Sequence, residues 1–158
     1  MGKIISIVYQ PDATDVSDNQ FNLIPIDKAT IIKAHGIEGD RKAGRHPRRN
    51  INIMVRETLD KLAEAGFSTA PGEMGEQIQV SGLDIESMED NTLIQLGESV
   101  VVRLNKPRRG CIWLEHIQGQ SIEQTTDMLG RMVTVIEGGI IHVGDEVRLA
   151  EKTHNQSE

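Results

Sequence analysis

The chain contains one cysteine, Cys111, which ends the basic segment 106–111 (KPRRGC). Nearby cations stabilise the thiolate, which is the form of cysteine that attacks electrophiles, carries sulfur or ligates a soft metal. Gly110 leaves space for a ligand to approach the backbone. A lone cysteine is also commonly a small buried hydrophobic residue. The residues alone therefore leave two equal alternatives, an activated thiolate and a packed core residue.

Nine of the 17 Lys and Arg residues lie in two short windows that contain no acid, whereas the rest of the chain has eight cations and 24 acids. The windows are 41–49, with Arg41, Lys42, Arg45, Arg48 and Arg49, and 103–109, with Arg103, Lys106, Arg108 and Arg109. If the fold joins them, they form a basic site in an acidic protein, suited to a small ligand with a phosphate or oxyanion group. The alternative is two solvated loops that lie far apart.

Gly39 and Gly44 have the spacing of a phosphate-binding P-loop. The chemistry does not match, because Arg45 and His46 stand in place of its lysine and hydroxyl, and Pro47 interrupts the helix that should follow. GxGxxG, HExxH and GxSxG strings are absent from the sequence. We therefore exclude a nucleoside triphosphatase and find no motif of a dinucleotide enzyme, a zinc protease or a serine hydrolase.

The five histidines are scattered without i, i+4 pairing, so a metal site made of histidines alone is not expected. We retain His46 as a candidate binding residue because it lies inside the first basic window. Trp113 either packs in the core or stacks on a flat ligand. A net charge of −7 and only four aromatic residues argue against a nucleic-acid partner, which requires a broad cationic surface and stacking platforms.

The length of 158 residues fits one domain, and 37% hydrophobic with 26% charged residues is ordinary for a globular chain. No apolar run is long enough to span a bilayer, and the N-terminus lacks a signal-peptide core, so we expect no membrane association. One cysteine excludes an intrachain disulfide and fits a reducing cytoplasm. We expect a single domain over residues 1–150 and a disordered polar tail over 151–158.

Short strand patterns separated by glycine-containing turns dominate the sequence. We predict strands over 3–9, 29–34, 50–55, 77–80, 92–96, 99–104, 132–136 and 146–149. The spacing of apolar residues predicts one clear helix over 56–65, ended by Gly66, and a second short helix over 121–129. This pattern favours a β-barrel or sandwich over a doubly wound α/β fold.

Five segments carry a family resemblance: 36–44 (GIEGDRKAG), 71–78 (PGEMGEQI), 82–84 (GLD), the basic stretch before Cys111, and 135–147 with its Gly-Gly pair and Val-Gly-Asp turn. In this order they resemble the MOSC domain family, named after the C-terminal domain of molybdenum cofactor sulfurases. The resemblance runs from about residue 28 to 150. It implies a mainly β fold, a closed or partly closed barrel with one or two short helices.

The resemblance also implies binding of the molybdenum cofactor (molybdopterin) or a related sulfur-bearing species. It matches Asp40 and Arg41 to the family's Gly-Asp-Arg turn, Glu76 to its Gly-Glu-Asn-Ile segment, and Cys111 to its functional cysteine, as metal ligand or persulfide carrier. Lys42 stands where many members have His. Gln77 stands where they have Asn, which keeps an amide but lengthens the side chain, and Gly110 stands where Pro often precedes the cysteine.

These observations give Cys111 as the candidate catalytic residue and metal ligand. The candidate cofactor-binding residues are Asp40, Arg41, Arg45, His46, Arg48, Arg49, Glu76, Arg108 and Arg109. Two activities stay open, delivery of sulfur or cofactor, and molybdenum-dependent reduction of N-hydroxylated compounds, each with a sulfur-donor or electron-donor protein. The larger sulfurases carry a pyridoxal phosphate domain for which this chain has no room, so that cofactor is not expected. The alternative is a non-catalytic anion-binding barrel in which Cys111 is structural.

Overall fold

Eleven strands and one α-helix occur in the described part of the chain. The computed structural model describes residues 2–11, 23–108, 118–121, 125 and 128–150. The strands are β1 (Gly2–Tyr9), β2 (Ile24–Pro25), β3 (Lys28–Ile32), β4 (Gly36–Ile37), β5 (Ile51–Val55), β6 (Ile78–Ser81), β7 (Leu93–Leu96), β8 (Val100–Pro107), β9 (Arg131–Glu137), β10 (Gly139–His142) and β11 (Glu146–Leu149), the helix is α1 (Arg56–Glu64), and a 3-10 turn spans Ile85–Ser87.

Seven of the strands close into a barrel in the order β11-β7-β8-β9-β5-β6-β1, and pairing between β1 and β11 completes the ring. All neighbours are antiparallel except β5 and β6. Closure leaves the ring without free edges to pair with other chains. The expected mainly β fold is therefore confirmed, in its closed form, with one short helix, α1, given in full within the described ranges.

Alternation along β5 sends side chains to two different cores. Ile51, Ile53 and Val55 point into the barrel and join its main apolar cluster. Met54 points outward into a second cluster beneath α1, made of Met54, Leu59, Leu62, Phe67, Met74 and Leu129. Asn52 shares the outer face with Met54, because side chains two positions apart lie on the same face of a strand. The strand therefore places an asparagine on the outer wall of the barrel.

The helix prediction over 56–65 is confirmed by α1, whose buried residues Leu59 and Leu62 were part of the periodic pattern. Gly66 follows with a φ of +96°, which suits a residue without a Cβ. Most of the segment 121–129, where a second helix was predicted, and all of the tail 151–158 lie outside the described residues.

A smaller sheet, in the order β10-β3-β4, lies beside the barrel. The strand pattern over 29–34 predicted β3, but β2, β4 and β10 were not predicted. β2 and β4 have two residues each, too few to show alternation, and β10 begins at Gly139 after a second glycine, which favours a turn. Among the described residues, no helix is long and apolar enough to cross a membrane.

Candidate functional site

A cleft of about 1090 Å³ lies between the loop that follows β4 and the end of β8. Six cationic side chains line it: Lys42, Arg45, Arg48, Arg49, Lys106 and Arg108. Four of them, Lys42, Arg45, Arg48 and Arg49, belong to the first basic window, and Lys106 and Arg108 belong to the second. The fold therefore brings the two windows together, as the hypothesis of a single basic site required. We refer to this site as the basic cleft.

Hydrogen bonds to the backbone hold the first window against the barrel. Asn105 on β8 donates its Nδ2 to the carbonyl oxygen of Arg48 at 2.7 Å, and the hydroxyl of Thr134 on β9 donates to the same oxygen. His46 Nδ1 accepts from the backbone N–H groups of Arg48 and Arg49 at 3.0 and 3.2 Å. Because Nδ1 accepts, the ring proton of neutral His46 lies on Nε2.

The cleft has one acidic side chain in its described lining, Asp90. That carboxylate is paired with the buried guanidinium of Arg131, with 2.6 Å between Arg131 Nη2 and Asp90 Oδ1. The guanidinium groups of Arg48 and Arg49 form no ion pair with any described residue. The cations of the lining therefore outweigh its acid, and the cleft attracts anions.

Asn52 lies in the wall of the basic cleft and is 2% exposed. Its backbone N–H donates to Gln77 Oε1 at 2.7 Å, and its carbonyl accepts from the backbone N–H of Gln77 at 3.0 Å. Its side-chain Nδ2 and Oδ1 have no hydrogen-bond partner among the described residues. The two hydrogen bonds to Gln77 therefore fix the backbone of Asn52, while its side-chain amide stays unpaired. A buried polar group without a partner costs about 1–3 kcal/mol of stability.

Sequence reasoning missed Asn52. The alternation of segment 50–55 was correctly interpreted as a strand, but the polar positions of such a strand are expected to face water. Here the outer face is covered by Gln77 and by Met132 of β9, which pairs with Asn52 in register. The signal that could have found it is an asparagine repeated at 50 and 52 directly after the basic window.

Asn50 lies two residues before Asn52 and is 1% exposed. Its Nδ2 donates to the carbonyl of His46 at 2.9 Å, and its Oδ1 accepts from the backbone N–H of Val135 at 2.8 Å. Asn50 therefore connects the basic loop to β9. Unlike Asn52, it has a partner for both polar atoms of its side chain.

Asp40 supports the cleft from behind. It is buried, and its Oδ1 accepts from the backbone N–H of Gln10 at 2.9 Å, while its Oδ2 accepts from Gln77 Nε2 at 3.2 Å. Gln77 in turn accepts from the backbone of Asn52. A chain of hydrogen bonds thus runs from Asp40 through Gln77 to Asn52, and Asp40 itself is absent from the described lining.

Glu76 shapes the turn that borders the cleft. Its carboxylate is buried and accepts from the backbone N–H groups of Gly72 at 2.7 Å and Met74 at 3.1 Å, and from Gln79 Nε2 at 2.8 Å. Burial raises the pKa of Glu76 above its ordinary value, although these donors act in the opposite direction. Both oxygens are occupied by partners within the protein.

Gly75 makes room for Arg108. Its φ is +88°, and a Cβ at this position would lie 2.6 Å from Arg108 Nη2. Arg108 Nη1 donates to the carbonyl of Met74 at 2.7 Å, so the guanidinium rests on the turn that Glu76 holds. Arg108 therefore links the second basic window to the turn that contains Met74 and Gly75.

Comparison with known protein families matches residues 40–148 to the MOSC domain. The chain belongs to the MOSC domain family. No curated protein sequence matches it. Among solved structures, it is similar to the YuaD protein from Bacillus subtilis, with a TM-score of 0.74 and 19% identity over 97% of this chain and 98% of that one. It is also similar to YiiM from Escherichia coli, with a TM-score of 0.69 and 21% identity over 96% of this chain and 71% of that one.

YiiM from Geobacillus stearothermophilus gives a third match, with a TM-score of 0.69 and 20% identity over 96% of this chain and 76% of that one. At these identities the structural matches establish the MOSC fold. They agree with the fold derived above from the strand order, a closed barrel of seven strands.

The MOSC structure gathers five of the sequence candidates in the basic cleft: Arg45, His46, Arg48, Arg49 and Arg108. Arg41 is absent from the described lining; its carbonyl accepts from Arg45 Nε at 2.9 Å, so it helps to place that side chain. Arg109 and Cys111 lie outside the described residues. Ligand contact by all of these candidates, and by Asp40 and Glu76, stays a prediction. Among the described residues there is no group of three or more His, Cys, Asp or Glu side chains that could hold a metal ion.

The Gln77 departure from the MOSC pattern acquires a structural explanation. The longer amide reaches Asp40 Oδ2 with its Nε2 and the backbone N–H of Asn52 with its Oε1. The added methylene therefore allows one side chain to bridge the Gly-Asp-Arg turn and β5.

Proposed function

We propose that this MOSC protein binds the molybdenum cofactor in the basic cleft, with the pterin phosphate against Arg45, Arg48 or Arg49. The observation that supports this most strongly is the charge of the lining, six cations against one carboxylate that is already paired. A phosphate ester is a dianion that forms charge-assisted hydrogen bonds with guanidinium groups. A cytoplasmic location, where the cofactor is available, is part of the proposal.

The residues present fit the cofactor in three respects. The cations suit its phosphate, the volume of about 1090 Å³ suits a tricyclic pterin ligand, and the unpaired amide of Asn52 suits a heterocycle rich in donors and acceptors. Arg108 and Lys106 border the same cleft, three and five residues before Cys111 in the sequence. These cations would favour the thiolate of Cys111, which we propose as the metal ligand or persulfide carrier.

Bound molybdenum would supply sulfur-transfer or redox chemistry at this site. Delivery of sulfur or cofactor requires a sulfur-donor or acceptor protein. Reduction of an N-hydroxylated compound consumes two electrons and two protons and releases water, so it requires an electron-donor protein. In either role the cations bind and orient the anionic part of the ligand, and His46 Nε2 offers a proton donor at the same cleft.

The proposal is tested by measuring molybdenum and pterin in protein purified from a host that makes the cofactor. Four proteins are compared: wild type, Cys111→Ser, the double variant Arg48→Gln/Arg49→Gln, and the control Lys3→Gln/Lys28→Gln. The control removes the same charge from exposed lysines on β1 and β3, outside the described lining.

We expect near-stoichiometric pterin and molybdenum in wild type and control, loss of molybdenum in Cys111→Ser, and loss of pterin in the arginine variant. Pterin that survives in Cys111→Ser without metal would assign the cysteine as ligand and the arginines as the cofactor-holding group. Wild type that holds neither pterin nor metal, from cells in which another molybdoenzyme is loaded, would contradict the proposal. Salt-sensitive phosphate binding by that protein would then support the simpler anion-binding module.

A further inference from the structure

Asn52 combines three properties that a residue in a packed barrel wall rarely combines. It is 2% exposed, it lines the basic cleft, and both polar atoms of its side chain lack partners among the described residues. Buried polar groups are almost always hydrogen-bonded, so an exception in a cleft points to a partner outside the protein chain.

The surroundings of Asn52 fix its backbone and leave its side-chain amide without a partner. Both backbone groups are bonded to Gln77, whose side chain is itself fixed by Asp40. Met132 lies opposite Asn52 on β9 and offers no strong donor or acceptor. The backbone of Asn52 is therefore held in place, while the donor and the acceptor of its buried amide have no partner among the described residues.

A primary amide presents one donor and one acceptor side by side. Its matched partner is a group with an acceptor beside a donor, which pairs with it through two parallel hydrogen bonds, as asparagine does with adenine in DNA recognition. The N3–H and C4 carbonyl of a pterin form such an edge. Phosphate and sulfate do not, because at neutral pH their oxygens chiefly accept.

We propose that Asn52 recognises the amide edge of the ligand's heterocycle by a bidentate hydrogen bond. This inference rests on the proposed function, since it names the residue that selects the pterin in the same cleft. The exposed arginines and the buried asparagine then contact different parts of the ligand: the phosphate lies towards the cations and solvent, and the ring lies inward against β5.

The test is a fluorescence titration with free pterin, which carries neither phosphate nor metal, and a separate titration with inorganic phosphate. Wild type is compared with Asn52→Leu, which removes both polar atoms at similar size, and with Asn52→Asp, which keeps the shape but replaces the donor. A third probe, 3-methylpterin, lacks the N3–H donor. Circular dichroism and melting temperature confirm that each variant is folded.

We expect Asn52→Leu and Asn52→Asp to weaken pterin binding by about tenfold or more, the equivalent of losing a paired hydrogen bond. Phosphate affinity of Asn52→Leu should stay within about twofold of wild type, because the cations hold the anion. Wild type should also prefer pterin over 3-methylpterin, and Asn52→Leu should lose that preference.

Equal pterin affinity in wild type and Asn52→Leu would overturn the inference, and so would a wild type that does not bind pterin at millimolar concentration. These outcomes differ from failure of the proposed function, which is measured by cofactor carried through purification. A protein that purifies without molybdenum but shows the Asn52-dependent pterin preference would keep this inference and refute the metal-dependent role.

Discussion

Asn50 and Asn52 are the same residue type and are almost equally buried; Asn50 directly precedes β5, and Asn52 lies two positions later within it. They differ in what their side chains contact. Asn50 joins the basic loop to β9 through both of its polar atoms, whereas Asn52 contacts no polar partner in the described chain. The same residue type therefore has opposite effects at the two positions, because a satisfied amide stabilises the fold and an unsatisfied one costs stability.

A similar distinction exists around the cleft. Asp40 and Glu76, outside its described lining, are buried and bonded to backbone groups or to Gln77 and Gln79, and Gln77, which lines the cleft, is bonded to Asp40 and to the backbone of Asn52. In its lining, Asn52 is unpaired and Arg48 and Arg49 form no ion pair with described residues. Binding sites commonly give up stability in this way to retain function.

The largest expected effect tests the two asparagines directly. Asn50→Leu leaves the N–H of Val135 and the carbonyl of His46 without their partner, so we expect the free energy of unfolding to fall by about 2–4 kcal/mol. Asn52→Leu removes an unpaired amide and should leave the free energy of unfolding unchanged or raise it by up to about 1 kcal/mol. Chemical denaturation of both variants without ligand measures the difference. Equal losses would show that Asn52 has a structural partner.

The second prediction concerns Glu76. Both of its oxygens accept hydrogen bonds, so Glu76→Gln directs an amide N–H at another donor and should lower the free energy of unfolding by about 2 kcal/mol. Retention of wild-type stability in this variant at neutral pH would contradict the supporting role.

Glu76 also predicts the sign of a pH effect. Its folded pKa is raised from 4.5, so the folded state binds the proton more tightly than the unfolded state. Wild type should lose stability relative to Glu76→Gln as pH rises from about 4.5 through the folded pKa. Urea unfolding of both proteins across this interval measures the change. An increase, as pH rises, in the free energy of unfolding of wild type relative to Glu76→Gln would contradict the prediction.

A smaller effect is expected from Gln77→Asn, which restores the residue common in the family. The shorter amide cannot bridge Asp40 Oδ2 and the backbone N–H of Asn52, so the free energy of unfolding should fall by about 1 kcal/mol. Pterin binding should weaken as well, because the backbone of Asn52 loses its anchor. Gln77→Asn should therefore lose both pterin affinity and stability, whereas Asn52→Leu should lose pterin affinity alone.

The smallest effect on stability is expected from Arg48→Gln/Arg49→Gln. These cations form no described ion pair and lie beside four others, so their removal should leave the melting temperature unchanged or slightly higher. Phosphate affinity should fall, and its dependence on salt should become shallower. A clear drop in melting temperature would show that the arginines are structural.

The sequence predicted the parts of this molecule that local patterns encode. The helix α1, the longer strands and a mainly β fold follow from periodicity and glycine spacing, whereas the barrel, rather than a sandwich, was implied by the resemblance to the MOSC family. The two basic windows indicated a site because nine cations without an acid are unusual in an acidic chain, and Arg48 and Arg108 do line one cleft.

The remaining features depend on contacts between distant positions. Asp40 is held by Gln10 and Gln77, thirty and thirty-seven residues away, so no local pattern distinguishes a supporting carboxylate from one that contacts ligand. The alternation of the segment predicts a solvent-facing position for Asn52. Its burial cannot be predicted locally, because the residues that cover it come from the β6 turn and from β9. Burial without a partner becomes visible only when the barrel is closed.

The most direct measurement is a nitrogen–proton NMR spectrum of the side-chain amides of wild type, with the Asn50 and Asn52 signals assigned from single substitutions. On addition of pterin, we expect a large shift of the Asn52 Nδ2 signals and little change at Asn50, whose amide is already bonded to His46. An Asn52 signal that stays in place while pterin binds, or equal shifts at both residues, would contradict the assignment of Asn52 as the residue that recognises the ligand.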